Sequence, residues 1–143
     1  MTSASIEDRL AIIELVNQSV AGVMRKDIAM WRATWAEDGA WKIDMLDQPV
    51  RGRDEIAGLF GGIIERFDFV AMSSFVTGIA VNGDRATGKA YSQELMFPKS
   101  GGQKILCGCF HDEYIRQDGR WLFHTRTYET LYRSTVIEPP AGA

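Results

Sequence analysis

Residues 108–126, GCFHDEYIRQDGRWLFHTR, form two strand-like runs joined by the turn Gln117-Asp118-Gly119-Arg120. An Asp-Gly pair between aromatic and β-branched residues is a strong hairpin signal, because a tight turn needs positive φ that glycine adopts at little cost. Upstream, Phe75–Val81, Arg85–Phe97 and Gln103–Arg116 are further strand candidates, and Trp121–Tyr132 is the second arm of the hairpin. Asn82-Gly83-Asp84 and Pro98–Gly102 punctuate them. The first half of the chain has a different period. Ile6, Leu10, Ile13, Val16, Val20 and Val23 recur at helical spacing and predict an amphipathic helix over residues 5–25, capped by Ser5, with these residues facing the core. A short helix over Ile28–Trp35 follows Asp27, its expected N-cap, then a strand over Ala40–Met45. A helix over Arg53–Phe67 comes next, weakened by Gly58, Gly61 and Gly62. Helices first and antiparallel strands after predict an α+β domain whose curved sheet wraps around the N-terminal helices.

The 143 residues fit one domain, 1–143, with residues 134–143 expected as a flexible or partner-docked tail. A composition 45% hydrophobic and 24% charged excludes extended disorder. The net charge of -3 comes from interspersed signs, so no nucleic acid and no anionic membrane surface is expected as a partner. No apolar run is long enough to span a bilayer, and Glu7, Asp8, Arg9 and Glu14 break up the N-terminus, which makes the cytoplasm the expected location. Cys107 and Cys109 stand two apart on a presumed strand, a separation awkward for a disulfide, and are expected as free thiols. With His111 they do not complete a zinc pattern, and the chain has no P-loop, no GxGxxG after a strand and no GxSxG elbow. No metal and no cofactor are expected.

Four segments, WAEDGAWKI (35–43), PVRGRDEI (49–56), VNGDRATGKAYSQE (81–94) and DEYIRQDGRWLFHTR (112–126), together resemble the SnoaL-like branch of the nuclear transport factor 2-like superfamily over nearly the whole chain. The resemblance implies a cone-shaped barrel with a mostly antiparallel sheet, and points to the scytalone dehydratase and hexachlorocyclohexane dehydrochlorinase group. It also implies a homodimer or homotrimer. These motifs mark the fold and not a reaction. In that group an aspartate near the end of the first helix orients a histidine that removes a proton. Counting back from Trp41, the position implied for the aspartate is Met24, with Asp27 three residues later. The histidine is implied near the start of MSSFVTGIAV (72–81), which contains none. The usual pair is therefore expected to be absent.

Other residues can replace it. Strand alternation puts His124 on one face with Leu122 and Arg126, and the resemblance implies a pocket arginine at Arg126. His111 falls on the face opposite Phe110 and Asp112, outside the pocket. Histidine suits proton transfer because it titrates near neutrality. In GKAYSQELMF (88–97), Ala90, Ser92, Glu94 and Met96 share a face that the resemblance turns toward the pocket. A carboxylate desolvated there would act as a base near neutral pH, unless it pairs with Arg126 or Lys104. The resemblance also makes Trp41 a pocket tryptophan and Asp112 an inward carboxylate that anchors the hairpin or a neighbouring arginine. The expected catalytic set is Glu94, His124 and Arg126. The expected substrate contacts are Met24, Trp41, Phe60, Ser92, Phe110, Asp112 and Tyr128. Together they suggest a cofactor-independent lyase or isomerase acting on a small hydrophobic, aromatic or polycyclic alcohol or ketone. The alternative is a non-catalytic small-molecule-binding or oligomerisation module of the same fold.

Overall fold

In the computed structural model, which describes residues 5–138, nine elements follow one another: α1 (Ile6–Arg25), α2 (Ile28–Arg32), β1 (Trp35–Lys42), β2 (Val50–Arg51), α3 (Arg53–Ile64), β3 (Phe67–Asn82), β4 (Arg85–Pro98), β5 (Lys104–Gln117) and β6 (Arg120–Arg133). Local signals set several boundaries. Ser5 Oγ accepts from the Asp8 amide at 3.0 Å to start α1, and Lys26, in the left-handed region at φ 53°, ends it. Asp27 Oδ1 then accepts from the Met30 amide at 3.0 Å and starts α2. Between β5 and β6, Asp118 and Gly119 take φ of 52° and 76°, as a primed hairpin turn requires.

The sheet order is β2-β1-β6-β5-β4-β3, antiparallel throughout except for the parallel β1–β6 pair. The fold is the expected α+β cone, but the sheet stays open, with β2 and β3 as its edges, and the helices fill its concave side. Ile12, Trp35, Ile56, Tyr114 and Phe123 are fully or almost fully buried there.

Three differences from the sequence reading have local causes. The core stripe of α1 is Ile12, Leu15, Val16, Ser19 and Gly22, while Ile6, Leu10 and Ile13 are exposed. The helix is apolar on two faces, and Gly22 selects between them: a Cβ there would lie 3.0 Å from Trp31 Cβ, so only this face admits the close crossing with α2. Strands β1 and β3 begin well before the expected Ala40 and Phe75, because pairing with β6 and β4 extends segments whose own alternation is weak. The third difference is a bulge in β6. Glu113 pairs with Thr125, but the next residue, Tyr114, pairs with Phe123, so His124 is the unpaired extra residue.

After β6 the chain runs on in the same direction, antiparallel to the segment that leads into β5, with Ser134 bonded to both backbone groups of Ile105 and Gln103 bridged to Ile137. Residues 139–143 of the expected tail lie outside the described residues. Both cysteines are free, as expected. No described helix is long and apolar enough to cross a membrane.

Candidate active site

The helices leave a cavity of about 340 Å³ between themselves and the sheet. Aromatic packing makes one wall: Trp31 stacks on Phe60 with centroids 4.0 Å apart and 11° between planes, and Trp41 meets Trp31 edge-on at 5.2 Å. Ile63 and Ile64 of α3 extend it, and Met72 and Met96 supply soft, adaptable surface from the sheet.

Glu94 projects into this apolar space from β4. Its cross-strand neighbours are Met72 on β3 and Leu106 on β5. Neither expected partner, Lys104 or Arg126, forms an ion pair with it, and no cation does among the described residues. The cavity reaches the side chain, so it is only half-buried by area, yet protein surrounds it. Burial pushes its pKa up to about 7.

Arg126 faces the same cavity in a fixed pose. Its Nε donates to Asp112 Oδ1 at 2.7 Å and its Nη2 to Asp112 Oδ2 at 3.1 Å. The guanidinium carbon lies 3.8 Å from the Phe110 ring centroid and 3.9 Å from that of Phe123. Tyr114 Oη donates to Asp112 Oδ2 at 2.9 Å. Burial raises the Asp112 carboxyl above its usual range, opposed by Arg126 and then by Tyr114. Nη1 is the guanidinium nitrogen that Asp112 leaves unused.

Tyr128 lines the cavity with its ring. The ring lies over Gly108, where a Cβ would stand 2.2 Å from Tyr128 Cζ, so this position requires glycine. Burial, then the Glu94 charge, push the phenol up to about 12, and it remains a donor at neutral pH. The Tyr128 hydroxyl is close enough to that of Ser92 to feel it, but among the described residues neither hydroxyl has a hydrogen-bond partner of good geometry. Two buried hydroxyls without partners cost about 1–3 kcal/mol each, a price that settles on the end of the cavity where Glu94 sits.

Glu94, Arg126, Trp41, Phe60, Phe110 and Tyr128 thus line one cavity. The four remaining expected residues, His124, Met24, Asp112 and Ser92, do not. His124, displaced by the bulge, lies outside the cavity with Nε2 3.4 Å from Asp38 Oδ2 and Nδ1 3.4 Å from Arg85 Nη1. The alternation that grouped it with Arg126 fails because one extra residue reverses the parity between them. Met24 is exposed, and α1 meets the cavity through Ser19 and Val23, since each step along a helix turns about 100°. Asp27 is occupied in capping α2. Asp112 and Ser92 point inward, 3% exposed each, but stand behind Arg126 and Tyr128 and do not line the cavity. On the outer face, His111 pairs with Glu129 at 2.9 Å, and Cys109 lies close to both.

Sequence reasoning missed Arg66, Arg133 and Asp44, and named Lys104 only as a partner for Glu94; all four also line the cavity. For Lys104 a signal existed: it shares strand parity with Phe110, which was placed inward.

Known proteins share this architecture. A provisional scytalone dehydratase from Novosphingobium aromaticivorans DSM 12444 superposes with a TM-score of 0.83 at 18% identity, covering 96% of each chain. A type 2 hexachlorocyclohexane dehydrochlorinase gives 0.80 at 18% identity, covering 96% of this chain and 97% of the other. The type 3 enzyme from Novosphingobium barchaimii LL02 gives 0.78 at 20%, covering 96% and 93%. No curated protein sequence matches the chain. The SnoaL-like domain family matches residues 4–127, and with that span the chain belongs to the SnoaL-like family.

Proposed function

We propose that the protein is a cofactor-independent lyase or isomerase that moves a proton on a small hydrophobic, aromatic or polycyclic alcohol or ketone, with Glu94 as the base. The observation that carries this reading is an unpaired carboxylate, raised to about 7, inside an apolar cavity. It stands directly across from Met72, near the start of the segment where related dehydratases and dehydrochlorinases would hold a histidine. The base has in effect moved one strand sideways.

In this mechanism the Glu94 carboxylate takes a proton from a carbon next to a carbonyl, and the electron pair moves toward the carbonyl oxygen. Nη1 of Arg126 holds the developing oxyanion, while Asp112, Phe110 and Phe123 keep the guanidinium still. The pair then returns to expel a β-hydroxyl, which leaves as water with the proton from Glu94, or the proton is delivered to another carbon and the double bond migrates. The dehydratase and dehydrochlorinase names of the similar structures are consistent with elimination chemistry. An ionisable group facing the cavity favours this reading over a carbon-lined binder.

The test is deuterium incorporation from heavy water into a panel of aromatic ketones and β-hydroxy ketones, followed by NMR, with new conjugation followed by ultraviolet absorbance. The base must be ionised, so the rate should rise with pH through a midpoint near 7. Glu94→Gln should lower it by about 100-fold or more, and His124→Ala should leave it unchanged. Full activity in Glu94→Gln would assign the proton transfer elsewhere. Binding of the panel without exchange would favour the non-catalytic reading.

A further inference from the structure

The cavity's mouth has a chemistry of its own. Of the residues lining the cavity, the ones that are solvent-exposed are Asp44, Met45, Arg66 and Arg133, and these mark where it opens. Half-buried Lys104 lies just inside. Arg133 reaches Asp44 only at 3.9 Å, and Asp44 also accepts a hydrogen bond from Thr130. Among the described residues, neither Arg66 nor Lys104 has a carboxylate within ion-pair distance. Three cations against one acid give this opening a positive charge on a protein whose net charge is -3. That local excess runs against the bulk composition. Clefts with low-dielectric walls focus such a field on whatever enters.

The register fixes how far one of these cations, Lys104, lies from the base. Leu106 pairs with Glu94, and Lys104 stands two residues before it, at the start of β5. Two strand steps are about 7 Å. Lys104 is thus within the span of one fused ring system from Glu94, and Arg66 and Arg133 line the exposed rim of the same cavity.

Resting on the reading of Glu94 as the base, we propose that this mouth anchors an anionic group. The substrate is then an amphipathic acid: an apolar ring system with a carboxylate or sulfonate at the end remote from the proton that is lost.

A matched pair of fluorescent probes tests this without turnover. Anilinonaphthalene sulfonate and phenylnaphthylamine share one ring system and differ by the anionic group. Wild-type protein should bind the sulfonate about tenfold more tightly than the neutral probe, which corresponds to two partly screened cations. The preference should shrink with added salt. The triple variant Arg66→Gln, Lys104→Gln, Arg133→Gln should lose the preference and keep its affinity for the neutral probe. Equal affinity for both probes in the wild type would overturn the proposal. So would a preference that survives in the triple variant, or an equal weakening of both probes. If Glu94→Gln abolished no activity while the probe preference held, the reading of the base alone would fall. If neither probe bound, the anion site and the ligand cavity would fall together.

Discussion

Replacing Glu94 with glutamine keeps the shape of the side chain and removes its ability to ionise, which turns the buried carboxylate into a measurable stability difference. Burial holds the Glu94 carboxyl at about 7 in the folded protein, against 4.5 for a solvent-exposed glutamate. Below the lower value both states hold the proton, and the group adds no pH dependence. As pH rises from there toward 7, the unfolded chain releases its proton while the folded one keeps it, so the wild type loses stability across that window. Above it the loss is complete. The two pKa values, 4.5 and about 7, differ enough at 1.36 kcal/mol per unit to make that loss about 3 kcal/mol. Glutamine bears none of it. Urea unfolding of the two proteins should therefore coincide near pH 4 and separate by up to about 3 kcal/mol near pH 8, with the variant more stable and the slopes unchanged. A difference that stays constant with pH, or a variant less stable near pH 8, would refute the reasoning. The carboxylate would then be solvated or paired, and its candidacy as the base would go with it.

Two further substitutions and one control probe the frame around the cavity. Gly108→Ala places a Cβ 2.2 Å from Tyr128 Cζ, so the ring must leave or the strand must shift, at a cost of about 1–3 kcal/mol in thermal or urea unfolding. Gly58→Ala, where nothing lies within 4 Å, is the control and should be neutral or stabilising by up to about 1 kcal/mol. Asp112→Ala leaves the Arg126 guanidinium, 4% exposed, without its carboxylate, and should cost about 3–5 kcal/mol. A cost below about 1 kcal/mol in the same unfolding measurement would mean that the two rings hold the charge unaided.

The sequence was legible where the determining interaction is short in range. The Asp118-Gly119 turn and the caps at Ser5 and Asp27 depend on residues within three positions, and all three form as expected. Glu94 was placed correctly because β4 pairs with β5 without interruption from Arg85 to Met96, so simple alternation holds along its length. His124 was misplaced because the neighbouring strand contains a bulge, and nothing in LFHTR announces one. The burial face of α1 was equally hidden. Two apolar stripes compete on that helix, and the choice depends on a contact between Gly22 and Trp31 that exists only once α2 has folded back. The charged mouth was missed for a related reason: Arg66 comes from the turn between α3 and β3, Lys104 from β5 and Arg133 from β6, and only tertiary structure brings them to one opening.

The bulge that removed His124 from the cavity also determines what kind of instrument Arg126 is. Because the extra residue lets Phe123 and Arg126 both turn inward, the guanidinium lies between two rings with a carboxylate at its edge, and its long side chain has no rotamer left to lose. Freezing a free arginine costs a ligand up to about 2 kcal/mol of conformational entropy, and that cost has already been met during folding. A molecule entering the cavity therefore meets a donor whose direction does not adapt to it, so selection among ligands rests on where their oxygen atoms lie and less on how strongly they attract a cation. Lysine at this position would keep the charge and give up that selectivity.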